Sequence, residues 1–112
     1  VREISTNLYS DPETGLVQEE AIRIYPNPFN GFQHISYLLP IDAEVSIEVF
    51  DVTGKKVRSL RDSYESAGVH ALQCDGRDQN EAVLPVGIYI IRFVYRSSAE
   101  KIIQERKVVF TY

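Results

Sequence analysis

Apolar and polar residues alternate along this chain in short runs, and turn residues separate the runs. In Glu44–Val52, Val45, Ile47 and Val49 fall on one side, and Glu44, Ser46 and Glu48 on the other. A period of two marks a half-buried antiparallel strand. Gln33–Leu39 repeats it with Ile35, Tyr37 and Leu39 and stops at Pro40, and Val69–Cys74 puts His70, Leu72 and Cys74 together. Gly87–Arg96 is apolar on both faces, with Tyr89, Ile91, Phe93 and Tyr95 against Ile88, Ile90 and Val94. That predicts a central strand, or one whose outer face is covered. Ala21–Tyr25, Lys55–Leu60 and Lys101–Phe110 complete the strands, and no run has a good helical pattern.

The connections carry turn chemistry. Asp51-Val-Thr-Gly54 makes a hairpin of Glu44–Val52 and Lys55–Leu60, with Gly54 supplying a positive φ. Val57 and Leu60 are out of phase with a regular strand. A bulge or a twisted edge would bring both inward. About seven short strands, with turn signals roughly 8–12 residues apart, predict an all-β fold, an immunoglobulin-like antiparallel β-sandwich. In Leu84-Pro-Val-Gly87-Ile-Tyr89 a tyrosine follows a glycine by two residues at the start of a strong strand. This matches the tyrosine corner of such sandwiches, and Tyr89 is assigned that role.

Residues 1–20 read differently. Ile4, Thr6 and Leu8 alternate weakly, and Ser10 to Gly15 is a turn cluster. We expect an N-terminal arm or linker at 1–20 and the sandwich domain at 21–112. The arm holds one basic and five acidic residues, while the rest of the chain is balanced and has no basic stripe. Nucleic acid is therefore not an expected partner. No apolar run approaches the ~20 residues of a transmembrane helix. The chain starts at Val1 and lacks methionine, so we expect a processed product or a piece of a longer protein.

Catalytic chemistry is hard to find. The single cysteine, Cys74, sits in an alternating pattern and reads as a small buried hydrophobe. His34 and His70 form no known motif with it. Asp42, Asp51, Asp62, Asp75 and Asp78 are scattered through turns, where aspartates cap local backbone. Asp75 to Asn80 comes nearest to a calcium loop, but Arg77 stands in its middle. Phosphate-loop, zinc and serine-elbow patterns are absent. The expectation is no enzyme, no metal and no cofactor.

One segment stands out: IRIYPNPFNGF, Ile22 to Phe32. Prolines fix φ and remove backbone donors, so Pro26 and Pro28 end the strand and force an extended corner. Phe29 and Tyr25 are expected to staple that corner to the core. The alternative is a tag that other proteins read.

The motif order adds to this. Tyr25-Pro26-Asn27-Pro28-Phe29-Asn30 comes first, then Ile35 to Pro40, then Val45-x-Ile47-x-Val49-Phe-Asp51-Val-Thr-Gly54-x-x-Val57. Ala67-Gly68-Val-His70, Cys74-Asp-Gly76 and Gly87-Ile-Tyr89 follow. Over residues 22–110 the chain resembles the C-terminal sorting domain (type A-like) of type IX secretion substrates. It is also similar to the immunoglobulin-like domain of the flagellar hook-capping protein. The resemblance implies a secreted protein at the outer surface of a Bacteroidetes-like or Ignavibacteria-like cell. Its partner would be the secretion translocon or a cell-surface protein, and a sortase can cut off such domains as cargo is joined to surface polysaccharide. The matching recognition positions are Tyr25, Pro26, Asn27, Pro28, Phe29, Asn30, Gly54, Val57, Gly87, Tyr89, Arg106 and Lys107. Three positions depart from the pattern. Cys74 stands where the family often has tryptophan, Gly31 where it has another proline, and the tail ends Phe110-Thr-Tyr112 instead of near a lysine. A second expectation makes the chain itself a partner. Ile4, Thr6 and Leu8 would form a donor strand for a neighbour's open sheet edge, building an extracellular filament; otherwise the arm folds back on its own domain.

Overall fold

The structure is a computed structural model that describes residues 2–5 and 22–111. Eight strands follow in order: β1 (Arg2–Ser5), β2 (Ile22–Tyr25), β3 (Gln33–Leu39), β4 (Ala43–Asp51), β5 (Lys56–Glu65), β6 (Gly68–Cys74), β7 (Gly87–Arg96) and β8 (Glu100–Phe110). One sheet has the order β1-β8-β7-β4-β5 and the other β2-β3-β6. Seven strands pair antiparallel, and β1 alone is parallel to its neighbour β8. This is the expected immunoglobulin-like sandwich.

Its core is the set of inward positions that the alternation picks out. Ile35, Tyr37 and Leu39 of β3 face Val45, Ile47 and Val49 of β4 and Ile91, Phe93 and Tyr95 of β7, all buried. Tyr37 and Phe93 bring the layers together, with ring centroids 5.2 Å apart. Each such side chain contributes about 1.5–3 kcal/mol on burial. Cys74 lies in this core, and burial pushes its thiol pKa up, away from nucleophilic reactivity. β7 is the middle strand of its sheet, as its two apolar faces imply. Its outer face carries a charge ladder over four strands. Lys56 pairs with Glu48 at 3.1 Å, Glu48 stands opposite Arg92, and Arg92 pairs with Glu105 at 3.3 Å.

The out-of-phase residues of β5 are its bulges. Ile47 pairs with Arg61 and Glu48 with Ser59, which leaves Leu60 extra; Val49 pairs with Arg58 and Phe50 with Lys56, which leaves Val57 extra. The two irregularities turn both side chains onto the core. β5 also runs five residues beyond the expected Leu60, to Glu65. Arg61, Asp62, Ser63 and Tyr64 hide that extension, because an edge strand carries polar side chains and loses the apolar period.

Arg61 and Glu65 help join the sheets at one end. The Tyr37 hydroxyl donates to the Glu65 carboxylate, and the Arg61 guanidinium donates to both. His70 stacks on Tyr37 at 5.3 Å. Burial pushes the Tyr37 pKa up, so its hydroxyl remains a donor. Burial opposes the Glu65 charge, but the Tyr37 and Arg61 hydrogen bonds outweigh it and hold the carboxyl below its usual range. A depressed folded pKa contributes stability above the unfolded value, about 4.3 for glutamate, and loses it as pH falls through the folded value. Urea unfolding of wild type and Glu65→Gln should therefore differ near neutral pH, and the gap should narrow as pH falls below about 4.3. A constant gap down to pH 3 would contradict this role for Glu65.

β1 places the start of the arm on its own domain. Arg2 stands opposite Glu100 and Ser5 opposite Ile103, so the chain fills the first part of its own β8 edge. Of the donor-strand residues, Ile4 lies in β1, and Thr6 and Leu8 lie outside the described residues.

The β5 edge is covered by the loop between β6 and β7. The Gln79 backbone N–H donates to the Val57 carbonyl at 3.0 Å, and its side-chain oxygen accepts from the Ser59 N–H at 2.9 Å. Arg58 holds that loop by binding Asp75 at 2.8 Å. Asp78 caps the Asn80 and Ala82 N–H groups at 2.8 and 3.0 Å. The aspartates nearest to a calcium pattern are thus occupied within the loop, and the described residues contain no metal-like cluster.

Candidate functional site

Antiparallel pairing brings distant motifs to one pole of the sandwich. β2, β4, β6 and β8 end there, and β3, β5 and β7 begin there. The register documents this: Gln33 stands opposite Cys74, Asp51 opposite Tyr89, and Gly87 opposite Phe110. The Pro-Asn-Pro corner, the Asp51–Gly54 turn, the Cys74–Gly76 turn, the Gly87–Tyr89 segment and the end of β8 share this pole.

The corner works as a clasp between the sheets. The Tyr25–Pro26 and Asn27–Pro28 peptide bonds are cis. Asn27 Nδ2 donates to the Lys107 carbonyl at 3.0 Å, while its Oδ1 accepts from the Val109 N–H at 2.9 Å. One side-chain amide thus occupies β8 as a neighbouring strand would. The Phe29 N–H donates to the Val109 carbonyl at 2.9 Å, and the Thr111 N–H donates to the Phe29 carbonyl at 2.8 Å. The Phe29 ring is buried and stacks on Phe110 at 5.0 Å. Gln33 Nε2 donates to the Pro26 carbonyl at 2.6 Å. With β1 on Glu100–Ile103, the clasp covers most of an edge that would otherwise invite pairing with another chain.

Phe29 is therefore the staple, and the same expectation for Tyr25 is corrected. Tyr25 is 53% exposed. Ile22 and Ile24 point inward, so period two turns Tyr25 outward, where it packs on His34 at 5.4 Å. Asn27→Ala removes two hydrogen bonds of about 0.5–1.5 kcal/mol each and should lower stability by about 1–3 kcal/mol. Chemical unfolding measures this, and an unchanged midpoint would contradict the clasp.

The neighbouring turns are locally satisfied. Asp51 Oδ1 accepts from the Thr53 N–H and hydroxyl at 2.9 and 2.5 Å and from the Lys55 N–H at 3.1 Å. These bonds, the Thr53 hydroxyl foremost, lower the Asp51 pKa. Gly54 takes φ +90°, a region open to glycine. The Tyr89 hydroxyl donates to the Pro85 carbonyl at 2.5 Å, which makes the expected tyrosine corner.

The proposed recognition residues meet at this pole, but they differ in access. Phe29 and Tyr89 are buried; Val57, Gly87 and Arg106 are half-buried; Tyr25, Pro26, Asn27, Pro28, Asn30, Gly54 and Lys107 are exposed. Around them lies an apolar rim that sequence reasoning missed. Val52 is 73% exposed, Val83 53%, Val86 47% and Ile88 44%. A cleft of about 530 Å³ opens between Val52 and Val86, with Val57 and Tyr89 in its lining. The missed signal is the valines inside turn and loop segments, where no strand period buries them. The pole presents shape and apolar surface, and the Asp51 carboxylate is used up by its own turn.

The fold has relatives among solved structures. Latent dimeric PorU from Porphyromonas gingivalis superposes with a TM-score of 0.67 and 21% identity over 80% of this chain. PorZ of the same organism, a surface component of its type-IX secretion system, gives 0.53 and 17% over 81%. The flagellar hook-capping protein FlgD of P. aeruginosa gives 0.57 and 18% over 80%, and covers 67% of that protein. The chain spans 9% of PorU and 11% of PorZ. None of the curated proteins compared with the chain matches it. Residues 23–109, which include the clasp, the turns and nearly all of β8, match the family described as the secretion system C-terminal sorting domain, and the chain belongs to that family.

Proposed function

We propose that this chain is a non-catalytic sorting and anchoring module of a secreted protein, and that the type IX translocon reads its motif pole. The observation that carries this reading is convergence. Segments spread from Tyr25 to Phe110 meet at one pole, where the exposed side chains Val52, Val83, Val86 and Ile88 gather. Exposed apolar surface of this kind marks a place where another protein binds. In this reading the buried motif residues Phe29 and Tyr89 shape the pole. The exposed corner residues Tyr25 to Pro28 and Asn30, together with Gly54 and Lys107, border the contact surface. The passenger would reach the outer-membrane surface or the medium. Residues 21–112 act as the module, and the arm at 1–20 is joined to it through the Arg2–Ser5 strand on β8.

The test is a fusion of residues 21–112 to a reporter in a host with a type IX system. The reporter should appear outside the cell and depend on that system. Retention in the periplasm would sink the proposal.

A further inference from the structure

Asn30 and Gly31 follow the clasp, and the fold leaves both free. Phe29 before them is fixed to Val109 and Thr111, and Gln33 soon after them begins β3. Both residues are exposed, and among the described residues neither the Asn30 side chain nor the Gly31 N–H forms a hydrogen bond. Gly31 takes φ +90°, and a Cβ there would meet nothing within 4 Å. An asparagine holds its amide carbon within reach of the next residue's backbone nitrogen, where bonding closes a five-membered ring. Glycine at that next position offers the least steric resistance.

The other described asparagines each lack a requirement. Asn27 precedes Pro28, which has no N–H to give up, and both atoms of its side-chain amide are bonded to β8. Asn80 precedes Glu81, whose N–H donates to the Asp78 carbonyl at 3.0 Å. Asp75-Gly76 has the spacing for the same ring, but the Asp75 carboxylate accepts from Arg58 at 2.8 Å and from the Arg77 N–H at 3.1 Å. Asn7 lies outside the described residues.

We propose that Asn30-Gly31 is a modification site, at which Asn30 deamidates without an enzyme. The Gly31 nitrogen loses its proton to solvent and bonds to Asn30 Cγ. The Cγ–Nδ2 bond breaks, and Nδ2 takes a proton from solvent and leaves as ammonia. Water then opens the cyclic imide at one of its two carbonyls, giving aspartate or isoaspartate. The net change is amide plus water to acid plus ammonia, and water is the only co-reactant. Both products place a carboxylate on the corner. Isoaspartate also adds one methylene to the backbone between Phe29 and β3. The modification does not depend on the export reading.

The test is to age the folded 112-residue chain in mildly alkaline buffer and follow it by tandem mass spectrometry. The tryptic peptide Ile24–Lys55 holds Asn27 beside Asn30, so it carries its own control. Asn30 should gain the mass of an amide-to-acid conversion, mainly as isoaspartate, with ammonia released in equal amount. Asn27 and Asn80 should stay amides. Conversion in the folded chain should keep pace with that in urea, because the fold does not hold this segment. Gly31→Ala should slow conversion on the order of tenfold, the effect of a barrier higher by about 1.4 kcal/mol. Asn30→Gln should lose the ammonia release, which keeps the question answerable should the alanine variant disturb the corner. Asn30 left intact in the folded chain while the chain in urea converts, equal rates for wild type and Gly31→Ala, or conversion of Asn80 ahead of Asn30 would each overturn the proposal.

Discussion

Phe29→Ala is expected to lower the free energy of unfolding by about 3–5 kcal/mol, the range for a buried aromatic cut back to alanine. Phe29 lies outside every strand, yet it is only 3% exposed and its ring stacks on Phe110 at 5.0 Å. Truncation opens a cavity at the pole, and the backbone bonds from residue 29 to Val109 and Thr111 limit how far the corner can collapse into it. A domain of this size has about 5–15 kcal/mol in total, so the variant should melt far below wild type. Phe110→Ala removes the other half of the stack. The two should couple by about 0.5–3 kcal/mol in a double-mutant cycle, because they share one contact. A loss under about 1 kcal/mol for Phe29→Ala would mean the corner is peripheral to the fold.

Gly76→Val is the second large effect. Gly76 has φ +70°, and a Cβ placed there would lie 3.1 Å from the Phe110 ring. A branched residue in the left-handed region costs about 1–2 kcal/mol, and overpacking a closed site adds about 1–3 kcal/mol. The ring is held between Gly76 and Phe29, so it has little room to give. Thermal unfolding should show a loss of about 2–5 kcal/mol. Gly76→Ala, which keeps the backbone cost and adds one methyl group, should lie between wild type and valine. Equal stability of all three proteins would show that the pole is loosely packed.

The layers of this fold are written in short-range pattern. Strand periods in Gln33–Leu39, Glu44–Val52 and Gly87–Arg96 name their buried faces. Even the phase errors at Val57 and Leu60 report real bulges. The tyrosine corner is legible because Tyr89 and Pro85 are four residues apart. The clasp is not, because Asn27 meets Lys107 and Val109 across some eighty positions and no local period encodes that meeting. Gln79 strapping β5 is hidden for the same reason. Tyr25 is a different case. The alternation Ile22-Arg23-Ile24-Tyr25 already placed it with Arg23 on the outer face. An aromatic side chain favours burial, but the strand period decides which face it takes.

The pole's residues therefore divide into those that build the surface and those that present it. Phe29, Asn27 and Tyr89 belong mainly to the first group, and Val52 and Val86 to the second. Loss of function on mutating a buried motif residue would only report unfolding. The separation is made by reporter export with Val52→Asp/Val86→Asp, beside Ile41→Asp at the opposite pole. All three positions are exposed, at 73%, 47% and 42%. The predicted result is wild-type melting for both proteins, export of the Ile41 variant, and periplasmic retention of the double variant. Export of the double variant at the wild-type level would contradict the account, because the translocon would then be reading something other than this rim.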